Sequence, residues 1–268
     1  MKLGILGYGK MGTAIIAGIT AKGLYIPSEI TVYDPNETAR EKAKESGFNV
    51  AKDVNEVYNC VNIMIFAIKP QEMKKVLSEL ISGKNSAVML LTIAAGVEIA
   101  TIEQYLGGKL KIARVMPNLP ASVGMGASCI CYNGNCGDAD KETFKNIFSS
   151  VGEVYEITES LMNTVVPYGG SFPAYAYVFL KDFIDSAVKR GMKYESAERM
   201  IIQSMLGSIE LYKKSGKTFE ELINAVCSKG GTTIEGVNVL EKDNIAKTID
   251  DCAGACIRRS AELSELLK

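Results

Sequence analysis

The chain has 268 residues, with 30 lysines and arginines against 31 aspartates and glutamates, and 47% of its residues are hydrophobic. This composition is typical of globular proteins, and the length predicts two domains. The sequence contains no histidine, which excludes Ser-His-Asp and Cys-His nucleophile systems, histidine general bases and histidine-bound zinc.

Several classes of partner are also disfavoured. Basic and acidic residues balance within each half of the chain, so we expect no nucleic-acid partner. No apolar run reaches the roughly 18 residues that span a bilayer, so we expect no membrane insertion. The seven cysteines are odd in number and the start MKLGILGYGK lacks a signal-peptide pattern, which predicts free thiols in the cytoplasm.

The first part of the chain alternates short apolar strands with segments of helical period. Strands are predicted at 3–6, 30–33, 61–68, 87–92, 112–115 and 127–131, and helices at 11–22, 37–46, 71–81 and 141–150. Because strands that are apolar on both faces need helices on both sides, we predict an α/β domain with a parallel, doubly wound sheet. This domain is expected to span residues 1–160.

The second part, residues 161–268, is predicted to be all helical. Helices are expected at 174–189, 196–214, 218–226, 232–240 and 245–266. Their apolar surface is wide and includes Tyr175, Tyr177, Phe179, Phe183, Met200, Ile201, Met205, Leu206 and Ile209. Pairing with a second chain would bury more of this surface than one chain of this size does, so we expect a dimer-forming domain.

A glycine-rich loop follows the first strand and opens the first helix, with the sequence Gly-Tyr-Gly-Lys-Met-Gly at residues 7–12. Gly7 permits a tight turn, Gly9 lets the backbone approach a pyrophosphate, and Gly12 lets the helix pack closely on the strand. The helix N-terminus then faces the anion. This context predicts a dinucleotide-binding site.

Asp34 follows the second strand, 22 residues after Gly12. A carboxylate there hydrogen-bonds the adenosine ribose and repels a 2′-phosphate, which favours NADH slightly over NADPH. Two alternatives remain open. Asp34 caps the turn before Pro35, or a phosphate is met by Arg40 or Lys42 nearby.

A second glycine-rich segment lies in the helical part, where Ser228 precedes Gly230 and Gly231 and a helix is predicted to begin at Thr232. Exposed backbone amides, a hydroxyl and a helix N-terminus suit an anionic substrate. In the alternative interpretation, the serine and threonines only cap the helix.

Thiolate ligands for a metal are a further possibility, because Cys129, Cys131 and Cys136 lie close to Asp138 in the sequence. However, Cys129 and Cys131 share one face of a predicted strand, and no Cys-x-x-Cys pair exists. We therefore expect buried thiols and no metal site.

The chain as a whole, from Met1 to about Leu267, resembles the pyrroline-5-carboxylate reductase family. Besides the glycine-rich loop, the similarity rests on the segments 67–71, 93–97, 114–120, 171–175 and 227–235, of which the last is the most specific. The chain departs from the family pattern at Gly169, Phe172 and Lys229, and these differences concern the substrate range.

The resemblance implies a Rossmann-type domain followed by an all-α, dimer-forming domain. It also implies an NADPH- or NADH-dependent reductase, which transfers hydride to the imine carbon of 1-pyrroline-5-carboxylate and forms L-proline in the last step of proline biosynthesis. Such chemistry suits a chain without histidine, because a protonated imine is already electrophilic.

The resemblance also assigns residues, with Ser228 and Thr233 as catalytic. The substrate-binding residues are Ser228, Gly230, Gly231, Thr232 and Thr233. The cofactor-binding residues are Gly7, Gly9, Lys10, Met11, Gly12, Asp34, Asn55, Ala67, Lys69, Pro70, Ala95 and Asn118. Thr233 matches a threonine that bonds the substrate ring nitrogen. We expect it to orient the substrate first, since donating a proton would require a water relay or a substrate that is already protonated.

Two other functions remain open. One is reduction of another small imine or oxo acid, as in the β-hydroxyacid dehydrogenases, but the segment 228–233 disfavours it. The other is a catalytically weak nucleotide-binding regulator, and retention of Ser228 and Thr233 disfavours that function.

Overall fold

The computed structural model describes residues 1–80, 87–107 and 109–265. They form two compact units, of which the first comprises Met1–Pro173 and Ala255–Lys268 within the described ranges, and the second Ala174–Gly254. The segment after residue 160 and the end of the chain thus pack with the first unit. Compact units and sequence domains are different divisions, so the boundary at residues 160 and 161 stays a prediction.

One sheet organises the described part of the first unit. Its strands are β1 (Leu3–Leu6), β2 (Ile30–Tyr33), β3 (Asn49–Val50), β4 (Ile63–Phe66), β5 (Met89–Thr92), β6 (Lys111–Met116), β7 (Gly126–Tyr132) and β8 (Gly152–Glu156). Their order is β3-β2-β1-β4-β5-β6-β7-β8. The six strands from β3 to β6 in this order are mutually parallel, as the apolar runs predict.

Helices cover both faces of the sheet. They are α1 (Lys10–Ala21), α2 (Glu37–Glu45), α3 (Val54–Cys60), α4 (Pro70–Leu80), α5 (Ile99–Leu106) and α6 (Asp138–Ser149). Alternate strand residues supply two hydrophobic cores, one with Ile15 and Phe144 and the other with Met73 and Ile102. The predicted doubly wound α/β fold is confirmed. Of the predicted helix 71–81, residue 81 lies outside the described residues.

One strand departs from the predicted parallel arrangement, because β7 runs antiparallel to β6. Only the residues from Pro117 to Met125 connect the two strands. A parallel connection needs a crossover of a dozen or more residues, and this segment is too short for one. The strand β8 is again parallel to β7, since α6 provides the crossover between them.

Partly buried polar contacts join the segment after β8 to the sheet and to the end of the chain. Arg114 on β6 is 3% exposed and lies 3.1 Å from the carboxylate of Glu159, which also accepts a bond from the Ile99 amide. The Asn163 side chain accepts a 2.8 Å bond from Ser260, and the Ser171 hydroxyl lies 3.4 Å from the Cys256 thiol.

The second unit is helical throughout, as predicted. The helices of this part of the chain are α7 (Phe172–Lys189), α8 (Tyr194–Ser215), α9 (Phe219–Val226), α10 (Thr232–Lys242) and α11 (Ile245–Glu265). The first two residues of α7 and the part of α11 from Ala255 onward belong to the first unit. Residue 266 of the predicted last helix lies outside the described residues. Many large apolar side chains of these helices are exposed, among them Tyr177, Val178, Phe179, Phe183, Met200, Leu206, Ile209 and Phe219.

Candidate functional site

The carboxyl ends of the parallel strands bring the predicted cofactor residues to one edge of the sheet. The strand β1 lies between β2 and β4, so the chain order reverses beside it. A crevice forms at such a point in open α/β sheets and is where their ligands bind. The glycine-rich loop follows β1, Asp34 follows β2, and Ala67 follows β4.

The glycines of the loop have the conformations that their predicted roles require. Gly7 has φ +97°, which favours glycine, and a Cβ atom there would collide with the Ala67 carbonyl oxygen. A Cβ atom on Gly12 would collide with the carbonyl oxygen of Gly7. The turn and the close packing of α1 on β1 are therefore possible only with these two glycines.

The free groups at this edge fit a dinucleotide. A Cβ atom on Gly9 would meet nothing within 4 Å, so the backbone is open to a close ligand. Gly9 also precedes α1, and no side chain caps that helix, which leaves its first amides available to an anion. The Asn55 Oδ1 atom, on the first turn of α3, is buried without a hydrogen-bond partner in the described chain.

Asp34 uses both of its carboxylate oxygens on the backbone. Oδ2 accepts a 2.8 Å bond from the Tyr8 amide, and Oδ1 accepts a 2.9 Å bond from the Asn36 amide. The turn-capping role that the sequence left open is therefore present. It does not exclude a ribose contact, because each oxygen can accept a second bond.

A cation lies in the same turn. Arg40 donates from Nη1 to the carbonyl oxygens of Asp34 and Pro35, at 2.7 and 3.0 Å. These bonds fix its guanidinium beside the carboxyl end of β2. Lys42, the other candidate for a phosphate contact, is exposed on α2.

Most of the remaining cofactor candidates lie beyond the ends of β4, β5 and β6. Lys69 and Ala95 are exposed, and Pro70 begins α4. Lys10 and Met11 lie in the first turn of α1.

Asn118 is less available than these residues. It is 7% exposed, its Nδ2 donates to the Gly169 carbonyl at 3.2 Å, and its Oδ1 accepts from the Ala127 amide at 3.0 Å. No local sequence pattern indicates this bracing contact. A cofactor contact for Asn118 stays a prediction.

In the second unit, the predicted substrate residues form a tight turn and the start of α10. The Ser228 carbonyl accepts a 2.9 Å bond from the Gly231 amide, and Gly230 has φ +74°. This geometry needs glycine at the third position of the turn and accepts proline or lysine at the second. The departure from the family at Lys229 is therefore compatible with the turn.

The structure disfavours the interpretation in which these hydroxyls only cap the helix. Gly231 is the N-cap residue of α10, and no side chain accepts a bond from the first helical amides. Ser228, Thr232 and Thr233 are exposed. Serine and threonine hydroxyls and the first backbone amides of α10 are thus available together for an anionic ligand.

The three clustered cysteines are buried or half-buried and carry free thiols. Burial is the main cause that raises the pKa of the Cys129, Cys131 and Cys136 thiols, for Cys131 to about 12, where the Glu159 charge adds to the effect. Within the described residues, no group of histidine, cysteine or acidic side chains has an arrangement that would hold a metal ion.

The fold and this edge of the sheet define an oxidoreductase of the Rossmann type, and comparison with known proteins gives the family. Residues 159–263 match the family model described as pyrroline-5-carboxylate reductase dimerisation, and residues 2–96 match the model described as NADP oxidoreductase coenzyme F420-dependent.

None of the helices in the described ranges is long and apolar enough to cross a membrane.

Full-length relatives agree with these matches. The pyrroline-5-carboxylate reductase of Escherichia coli K12 is 36% identical, with 98% of each chain covered, and that of a Synechocystis species is 35% identical, with 99% of each covered. The crystal structure of Plasmodium falciparum pyrroline carboxylate reductase with NADP bound has a TM-score of 0.88 and 31% identity, with 98% of each chain covered. The chain belongs to the pyrroline-5-carboxylate reductase family.

Proposed function

We propose that the protein reduces 1-pyrroline-5-carboxylate to L-proline with a nicotinamide dinucleotide, in the final step of proline biosynthesis. The observation that carries this proposal is the turn at Ser228–Gly231, where hydroxyls and an uncapped helix N-terminus are available together. The substrate carries a carboxylate, which this combination of donors suits. The chain has no histidine, and reduction of an imine does not need one.

We assign binding of the substrate carboxylate to the start of α10. The Ser228 hydroxyl and the Thr232 amide bind the carboxylate, and the positive end of the helix stabilises its charge, while the Gly231 amide closes the turn on the Ser228 carbonyl. Gly230 keeps the turn open, since its φ of +74° excludes most side chains. These contacts fix one side of the five-membered ring and thereby limit its orientation.

The Thr233 hydroxyl is assigned to the ring nitrogen, which it orients by a hydrogen bond. A bound nicotinamide would supply the hydride that reduces the imine carbon. A substrate that arrives protonated at nitrogen needs no further proton, and the product is then the neutral amine. Thr233 acts as a proton donor only through a water relay, because a threonine hydroxyl is too weak an acid alone.

The direct test is oxidation of NADH and of NADPH, measured in parallel, with 1-pyrroline-5-carboxylate as substrate and chiral analysis of the product. We expect L-proline with at least one cofactor. Turnover only with other small imines or oxo acids would contradict the substrate. Cofactor binding without any turnover would favour a regulatory protein.

We further propose that both cofactors are used, with a slight preference for NADH. The negative charge of Asp34 at the end of β2 disfavours a 2′-phosphate. The Arg40 guanidinium, held by the carbonyls of Asp34 and Pro35, places a positive charge in the same turn and supports binding of NADPH.

Replacing Arg40 with alanine is expected to raise the KM for NADPH about tenfold more than the KM for NADH, because only NADPH carries the 2′-phosphate. Steady-state kinetics with each cofactor measure this ratio. Lys42→Ala is the matched control, and we expect it to leave the ratio unchanged. Equal effects of Arg40→Ala on both cofactors would remove Arg40 from cofactor selection.

We propose that the protein is a homodimer, or a higher homo-oligomer, that pairs through the second unit. The support is the apolar surface of its helices, since Val178 and Leu206 are 60% and 56% exposed. Patches of this kind are normally covered in a stable protein. The balanced charge and the free cysteines also support a cytoplasmic location and no nucleic-acid partner.

A charge in this surface should separate the subunits. Leu206→Glu is expected to change the mass measured by light scattering from that of an oligomer to that of a single chain, because an unpaired buried carboxylate is costly. Ser204→Glu, an exposed position on the opposite side of the same helix, is the control and should leave the mass unchanged. An unchanged mass for Leu206→Glu would place the interface elsewhere.

A further inference from the structure

We propose that Asp34 is a positioning residue for the glycine-rich loop. Its carboxylate holds the loop in the shape that binds the dinucleotide, whichever nicotinamide cofactor is present. This inference rests on the proposed function only in that a dinucleotide binds at residues 7–12. It differs from a role in which Asp34 acts by its charge on the ribose alone.

The carboxylate connects two segments that are far apart in the sequence. Tyr8 and Asp34 are 26 residues apart, and the Tyr8 amide donates to Oδ2 at 2.8 Å. The other oxygen, Oδ1, accepts the Asn36 amide in the turn after β2. Bonds from amides to a carboxylate are stronger than bonds between neutral groups. Asp34 thus holds the loop after β1 to the turn after β2.

Two further contacts hold the same end of the loop. The Gly7 amide donates to the Tyr33 carbonyl oxygen at 2.8 Å, and the Tyr8 ring packs edge-on against Phe48, with ring centroids 6.2 Å apart. Tyr33 is the last residue of β2, and Phe48 lies between α2 and β3. The first two loop residues are therefore attached to neighbouring segments of the chain and not only to their own helix.

The position of Tyr8 determines the position of the anion site. Gly9 is the next residue, and it is the N-cap of α1 with space for a ligand at its Cα. The close contact of Gly12 with the Gly7 carbonyl leaves the loop little freedom on its other side. Loss of the Tyr8 anchor would let the first loop residues move, and the amides that meet the pyrophosphate would lose their alignment.

The two roles of Asp34 predict opposite results for NADPH. If the carboxylate acted only by repelling the 2′-phosphate, its neutralisation would strengthen NADPH binding. If it positions the loop, neutralisation weakens NADH and NADPH together, because both cofactors have the same pyrophosphate.

The test is Asp34→Asn. The Asn side chain has only one acceptor oxygen, so it cannot accept from both the Tyr8 and the Asn36 amides, and one of the two hydrogen bonds is lost. We measure the Kd of NADH and of NADPH from nicotinamide fluorescence, without substrate, and hydrogen exchange of the Tyr8 amide in the cofactor-free protein. We expect both Kd values to rise about tenfold, with their ratio changed by less than about threefold, and faster exchange at Tyr8. Asp140→Asn is the matched control, because the Asp140 Oδ2 atom also accepts a backbone amide, that of Gly137, and it should change neither measurement.

Asp34→Ser is the second variant if Asp34→Asn does not unfold cooperatively, since a hydroxyl retains one acceptor and removes the charge. Tighter binding of NADPH with unchanged exchange at Tyr8, in either variant, would overturn the proposal. Because both measurements omit the substrate, a failure to form L-proline would contradict the proposed function and leave this inference standing.

Discussion

Gly9→Ala is expected to abolish most dinucleotide binding while leaving the cofactor-free protein folded. A methyl group at residue 9 meets no protein atom within 4 Å, and the φ of −81° and ψ of −170° are accessible to alanine. The same methyl group stands where a pyrophosphate must approach the backbone. We expect the Kd of NADH to rise about 100-fold and the free energy of unfolding to fall by less than about 1 kcal/mol.

Calorimetric titration and thermal unfolding measure these two quantities. Gly134→Ala is the control, because its added methyl group also meets open space, in the loop after β7, and it should change neither quantity. Unchanged NADH binding in Gly9→Ala would place the dinucleotide away from this loop.

Thr233→Ala is expected to lower kcat about 100-fold, because the ring nitrogen of the substrate loses its orienting donor. The Kd of NADH should change by less than about twofold, since Thr233 is assigned to the substrate and not to the cofactor. Stopped-flow measurement of NADH oxidation and fluorescence titration separate the two effects.

Two variants sharpen this comparison. Thr233→Ser retains the hydroxyl and should recover most of the turnover, whereas Thr232→Ala removes a neighbouring hydroxyl on the same exposed helix turn and should have a smaller effect. Full activity of Thr233→Ala would remove Thr233 from the mechanism.

The elements that could be predicted from the sequence are those with strong apolar patterns. The strand β2 was predicted with its observed ends, and the helices of the second unit were predicted to within a few residues. The strand β3 was missed, because it has only two residues, Asn49 and Val50. The edge strand β8 was also missed, since its Glu153, Tyr155 and Glu156 are exposed and leave no apolar run.

In the candidate site, too, features of a short motif could be predicted, whereas contacts between residues far apart in the sequence could not. The conformations of Gly7 and Gly12 follow from a short motif, and the sequence predicts them. The bond from Tyr8 to Asp34 depends on how β1 and β2 align, and the amide contacts of Asn118 depend on a residue 51 positions away. Such contacts carry no local pattern, so only the three-dimensional structure reveals them.

The proximity of Ser171 and Cys256 has a consequence for how the protein can be dissected. Ser171 lies just before the chain leaves the first unit after Pro173, and Cys256 lies just after the chain returns to it at Ala255. Their side chains are 3.4 Å apart. Residues 174–254 are thus topologically an insertion whose ends adjoin one another. A short Gly-Ser linker from residue 173 to residue 255 would close the first unit without spanning a gap. The dinucleotide-binding half is therefore suited to production as a separate, continuous polypeptide.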